Sequence, residues 1–447
     1  MKKITILFVA CLLSLTTIAQ DTIQEAVQDT VQQVAQDADQ EAVFGQRKRT
    51  KNMNMVYHRS SLHNILIFHN DQKYSEEILN TYNNRPQSEK FNDHTVSVSM
   101  FETKGPKYVN QSKVDKFVNG NNIANSLVAK WFNRNEETGY CDMDLIFRRG
   151  LEGASTEDIE MSEYAKRGKA LLTDFGTDLI GNTYVLAHDI VYIDKGERNE
   201  KVAGGFKAFG EIMKAVGEVA AGVTGEQAYA DLGSATDDLS KLTADVVDDF
   251  EGFRVKIKTH LYRLNWKNED NDFFFENYYL DEESYDEAKQ NAWNDANYTL
   301  SYVGTQEVIC GETVLKGKWD LSTLIKIVLY RTLDESVVKL QRNYEEFKIK
   351  EPIYEVDSLG FVHAKIGLKE GVSASSKYEV LETVETEDGA KKYKKVGTLK
   401  PVADKIWDNR YMALEDGQPN AELGYTTFEV TQGKDLYPGL LIREVKF

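Results

Sequence analysis

The sequence predicts an α+β protein: a layered α/β domain whose sheet is covered by helices largely on one face, followed by a small all-β domain of barrel or sandwich type. Three observations predict it. From about Met53 to Phe347, β-branched runs alternate with amphipathic helical runs, the pattern of an α/β layer. The stretch Phe253 to Trp266 sets Val255, Ile257, Thr259 and Leu261 on one side and Arg254, Lys256 and Lys258 on the other, so one side meets water. After Pro352 helical periodicity gives way to short strands separated by Gly, Asp and Asn turns.

Ahead of the folded region, Lys2 and Lys3 precede the apolar run Ile4 to Leu15, the n- and h-regions of a secretory leader. The run is too short to span a bilayer. Thr17 and Ala19 are small residues suited to cleavage before Gln20, which makes 1–19 a signal peptide. Two alternatives are a lipidated Cys11 and an uncut anchor; Leu12 and Leu13 continue the apolar run where a lipidated cysteine would end it. Residues 20–50, built from Gln, Asp, Ala and Val, read as a low-complexity stalk or linker. Val27, Val31, Val34 and Ala38 recur at near-heptad spacing, which leaves a short self-associating helix as the alternative.

The α/β domain is placed at 51–348. Its expected strands are Asn64 to His69, Thr95 to Phe101, Asp142 to Phe147, Thr183 to Asp194, Phe253 to Trp266 and 298–308. Its expected helices are Asn122 to Phe132, Ser162 to Gly176 and Leu321 to Phe347, the last with Leu324, Val328, Leu333, Val337 and Leu340 in one stripe. The all-β domain, 349–447, carries a hairpin signal at Glu387-Asp388-Gly389.

Between the two clearest strands lies a Gly-rich helical insertion, 203–250. Phe206, Phe209, Ile212, Met213, Val216 and Val219 repeat at helical spacing among Gly210, Gly217 and Gly222. Each interior glycine costs a helix about 1 kcal/mol relative to alanine, so several together point to close approach of another backbone. The plain alternative is an amphipathic helix closing over the core. As a contact surface it would meet an identical subunit, a protein partner or a membrane interface; Lys207 and Lys214 suit the interface, and Glu211 and Glu218 favour protein.

Composition narrows the function classes. A formal charge of −18, or −20 once Lys2 and Lys3 leave with the leader, argues against nucleic acid, whose phosphates need basic groups. No phosphate loop is present, since Gly168-Lys169 is followed by Ala170, and no serine sits in a G-x-S-x-G elbow. His58, His63, His69, His188 and His260 show no zinc spacing, and His188 and His260 fall inside expected strands as structural side chains. Asp270, Asp272 and Glu276 lack the glycine and distal glutamate of a calcium loop. No catalytic residue, cofactor or metal is therefore assigned. Cys141 and Cys310 remain after processing and are candidates for one disulfide in an oxidising compartment, or for two singly buried thiols. Trp266, Phe273, Phe274, Phe275, Tyr278 and Tyr279 offer either a sugar-stacking platform or one buried face of a strand.

The run SEYAKRGKALLTDFG, then TYVLAHDIVYID, an insertion, and FRVKIKTHLYRLNW resembles the periplasmic α/β domain of the curli-secretion lipoprotein family and of related TolB amino-terminal and flagellar-assembly domains. The later run EVDSLGFVHAKIGLKEGVSASSKYEVLE resembles the small β-domain of flagellar-assembly proteins. The chain departs from the curli family in lacking its lipobox and in a helical insertion where that family has membrane strands. The resemblance implies a periplasmic or outer-membrane-associated protein. The expectation is an exported, non-enzymatic envelope component that assembles with itself or a protein partner, with a surface adhesin or carbohydrate binder as the alternative.

Overall fold

The computed structural model describes residues 60–153, 180–193, 250–282, 285–315, 318–385 and 391–445. Helices and strands are mixed along the chain, as an α+β protein requires, and two sheets carry the fold. In the first, β1 (Ser61–His69) is flanked on one side by the short β2 (Asn92–Asp93) and β3 (Met100–Thr103) and on the other by β4 (Thr183–Tyr192), β5 (Phe250–Leu264) and β6 (Leu300–Leu315). β2, β3 and β4 run parallel to β1, whereas the β4–β5 and β5–β6 pairs are antiparallel. β1 is buried along almost its whole length, and its run Ile65 to Phe68 is wholly apolar because both faces of the strand are covered.

The helices are α1 (Ser75–Asn83), α2 (Gln111–Gly120), α3 (Ile123–Trp131), α4 (Asp144–Gly153), α5 (Asn268–Asn277), α6 (Glu287–Ala292) and α7 (Leu321–Asn343). α1 and α7 pack on one face, where Ile78, Leu324, Val328 and Leu333 meet Leu66, Ile190, Val255 and Ile257. α2 to α5 pack on the other, where Val114, Leu127, Trp131, Ile146 and Phe274 meet Ile65, Ile67, Val185 and Tyr262. The expectation of a largely one-face-covered sheet is thus corrected: both faces carry a core. A wet patch remains where Arg254, Lys256 and Lys258 of β5 stay half-exposed beside the exposed Glu307 and Ile309 of β6.

Two expected strands, and the strand reading of the aromatic stretch, are also corrected. Residues 142–147 begin α4 instead: Asp142 accepts the Asp144 N–H at 3.0 Å, and the turn that follows carries Arg149 into the interior. There the guanidinium donates to Ser61 Oγ, His94 Nδ1 and the Asp93 carbonyl and lies over the Trp131 ring. Within 95–101 only Met100 and Phe101 join a strand, because side chains take the backbone groups a ladder would use. His63 Nε2 bonds the Val98 carbonyl and Lys130 Nζ the Thr95 carbonyl. The aromatic stretch after Trp266 is α5, started by Asp270, which accepts the Lys267 N–H at 2.8 Å.

The second sheet is a single curled antiparallel sheet in the order β7 (Glu351–Pro352), β13 (Leu441–Glu444), β10 (Tyr378–Glu385), β11 (Lys391–Pro401), β12 (Thr426–Gln432), β9 (Val362–Ala364) and β8 (Glu355–Val356). It is half of a barrel rather than a closed barrel or a sandwich. β10 and β11 pair as the expected hairpin, from Tyr378↔Leu399 to Glu385↔Lys391. α7 touches both sheets. Beyond its contacts with the first, Arg342 forms a two-pronged pair with Glu444 (2.9 and 2.8 Å), and Arg331 donates to the Tyr411 carbonyl at 2.9 Å.

Candidate functional site

β1 and β4 end side by side, and in an open α/β sheet the carboxyl ends of parallel strands are where binding groups collect. β1 leads into α1 on one face and β3 leads towards α2 and α3 on the other, so the chain switches direction here. His69 and Asp189 are fully buried at this end. His69 Nε2 lies 2.7 Å from Asp189 Oδ1 and its Nδ1 lies 2.7 Å from the Gly105 carbonyl. Both ring nitrogens of His69 thus face acceptors, the Gly105 carbonyl and the Asp189 carboxylate. Asp189 Oδ2 also accepts the Val109 N–H at 2.6 Å, and Asp71 accepts the Gly105 N–H at 2.8 Å. Gly105 sits at φ +90°, a conformation that favours glycine. The result is a clasp fixing the loop 104–110 across the sheet end.

Tyr108 on that loop lies under the Lys258 and Lys256 ammonium groups, 4.4 and 5.1 Å from its ring. Burial, with the Glu307 and Asp189 carboxylates nearby, pushes its hydroxyl well up. His260 bonds Thr305 Oγ1 through Nδ1 at 2.8 Å, while its buried Nε2 has no partner among the described residues. Burial holds His260 down at about 4. The same sheet end is where β4 leaves and β5 returns: Tyr192 pairs with Val255, and Ile193 N donates to the Arg254 carbonyl at 3.0 Å. The expected contact residues Phe206, Phe209, Ile212, Met213, Val216 and Val219 belong to 194–249, which lies outside the described residues, as does the expected helix Ser162 to Gly176.

A second concavity lies between α7, the connection from α1 to β2, and the Leu368–Glu370 turn of the second sheet. Its cavity is about 90 Å³, floored by Leu62, Asn64, His188 and Leu333. His188 is fixed by Asn64 Oδ1 (3.1 Å) and Thr259 Oγ1 (3.0 Å), and burial keeps it neutral, far below the ordinary histidine range. The walls present Asp334, Gln341, Arg85, Lys369 and Glu370. Burial raises the Asp334 carboxyl to about 7; Lys369 opposes the shift and Glu370 adds to it. This arrangement can receive a charged or hydrogen-bonding group. The sequence singled out none of the charged wall residues, because an aspartate within an amphipathic helix reads as solvent-facing until another element covers it.

Cys141 and Cys310 are free thiols, which corrects the candidate disulfide. The first sheet separates them. Cys141 belongs to the core under α3, while Cys310 donates to Glu335 of α7 on the opposite face at 3.1 Å. The aromatic platform is interior: Phe274 is fully buried and stacks on Phe132 at 3.8 Å, with Trp266 and Tyr278 also buried, and only Phe273 is exposed. Among the described residues no three His, Cys, Asp or Glu side chains gather in a form that would hold a metal ion. His63, His69, His94, His188 and His260 are all buried and hydrogen-bonded inside the fold. In comparison with known proteins, the chain matches no protein-family model and no curated protein.

Proposed function

We propose that this chain is an exported, non-enzymatic component of the cell envelope that acts by self-association or by binding a protein partner, with residues 203–225 as the contact. One observation carries the reading. The segment 194–249 is inserted between two strands that are direct neighbours, Tyr192 pairing with Val255, so it leaves and rejoins the sheet at one point. The β4–β5 pairing is made without any residue of that segment. The leader at 1–19 supports export, and an acidic chain suits a protein partner better than nucleic acid. A hydrophobic contact at a membrane remains part of the proposal through Phe206, Phe209 and Ile212.

We further infer that 51–348 forms a layered domain and 349–447 a small β-domain, in line with the resemblance to the curli-secretion, TolB amino-terminal and flagellar-assembly domains. The location is the periplasm or the outer membrane. The adhesin or carbohydrate reading draws no support from the aromatic stretch, since Trp266, Phe274 and Tyr278 are core side chains. The test is to fractionate cells and identify what co-purifies with the mature chain. Recovery in the envelope fraction with itself or one partner is expected; a cytoplasmic monomer would refute the reading.

A further inference from the structure

We propose that the cleft between α7, the α1–β2 connection and the Leu368–Glu370 turn binds a small zwitterion of the α-amino acid class, its ammonium received by Asp334 and its carboxylate by Arg85 and Lys369. The inference does not rest on the envelope reading and stands or falls separately from it. Three observations lead to it.

The first is an imbalance in how the walls are bonded. Glu370 is held, its Oε2 accepting the Gly367 N–H at 2.8 Å and an Asn409 amide N–H at 2.7 Å. Arg85 gives one N–H to the Tyr82 carbonyl at 2.8 Å and rests on the Tyr82 ring, which fixes the guanidinium and leaves its other donors. Asp334 makes no hydrogen bond or ion pair with any described residue, and the Gln341 side chain makes none either, although Gln341 is 9% exposed. An unpaired carboxylate in a cleft is costly to the fold, and such costs concentrate where a ligand relieves them.

The second is the mixture of signs. A simple anion would meet Asp334 and Glu370, and a simple cation would meet Arg85 and Lys369. A molecule carrying both charges satisfies both walls, with the Gln341 amide free to bond either end. The third is size. A cavity of about 90 Å³ lies well below the roughly 300–1,000 Å³ of pockets that take drug-sized ligands, so the occupant is small.

The experiment is calorimetric titration of the full mature chain with glycine, alanine and glutamine, and separately with acetate and with ethylammonium as half-ligands. Saturable binding of at least one amino acid is expected, with both half-ligands weaker by at least tenfold. Asp334→Asn should weaken the amino acid at least tenfold, and Lys369→Gln should weaken it with the fold intact by circular dichroism. Absence of saturable heat from all three amino acids would overturn the proposal. So would ethylammonium or acetate binding as tightly as the amino acid, or Asp334→Asn binding unchanged.

Discussion

Asp334 and the buried histidines respond to pH with opposite sign, and burial is the cause in both. Asp334 is held near 7 against an ordinary value of 3.8, with Lys369, Glu370, Arg85, Lys90, Asp93 and His188 as the charged or titratable groups around its cleft. The folded chain keeps a proton there that the unfolded chain has released, so this contribution to stability is present at low pH and lost as pH rises through about 7. Asp334→Asn should therefore exceed the natural protein in stability at pH 8 by about 1–2 kcal/mol and match it near pH 4, measured by urea midpoints. The histidines act the other way. His94 is held near 3 and His63 and His260 near 4, below the ordinary 6.5, so folded stability is full above that value and falls as pH drops towards 4. Each should cost roughly 2 kcal/mol by pH 5, so the urea midpoint should decline steeply below pH 6; a flat profile would contradict the neutral, buried assignment. Phe274, fully buried against Phe132, should lose about 3–5 kcal/mol on replacement by alanine in thermal unfolding. At this scale the sequence identified His188 and His260 as structural. It could not identify Asp334 as a cleft residue, because the turn that covers it is more than thirty residues away in sequence.

Elements were legible where one periodicity ruled. β1, β4, β5, α3 and α7 lie close to where alternation or helical spacing puts them. The departures have local causes: Arg149 needs a helix to reach Ser61 and His94, and His63 and Lys130 take carbonyls that would have extended β3. Amphipathic pattern alone also hid the second helical layer, since Arg254, Lys256 and Lys258 are wet while Tyr262 and Leu264 on the same face are buried. The fit between α7 and the second sheet makes its own prediction. Gly371 has φ +78°, and an added Cβ would meet Val338 Cγ1 at 2.5 Å, whereas Gly360 has φ +85° in open space. Gly371→Ala should cost about 2–3 kcal/mol and Gly360→Ala about 1–2 kcal/mol in thermal unfolding, the difference being the contact with α7. Equal losses would mean that this contact is slack.

For the whole molecule, α+β character and the change of pattern after Pro352 were visible in the sequence, but the curled open form of the second sheet was not. Short strands with turns between them do not specify closure, which depends on which edges pair. The docking of α7 on the second sheet was equally hidden, since Arg342 and Glu444 are far apart in sequence. The proposed contact belongs to the segment that leaves the sheet after Tyr192 and rejoins it before Val255. A chain lacking residues 203–225 should unfold at the same temperature as the full chain. By light scattering and envelope fractionation it should lose self-association or its partner. A deleted chain that folds and keeps the same oligomeric state and the same envelope fraction would contradict the account.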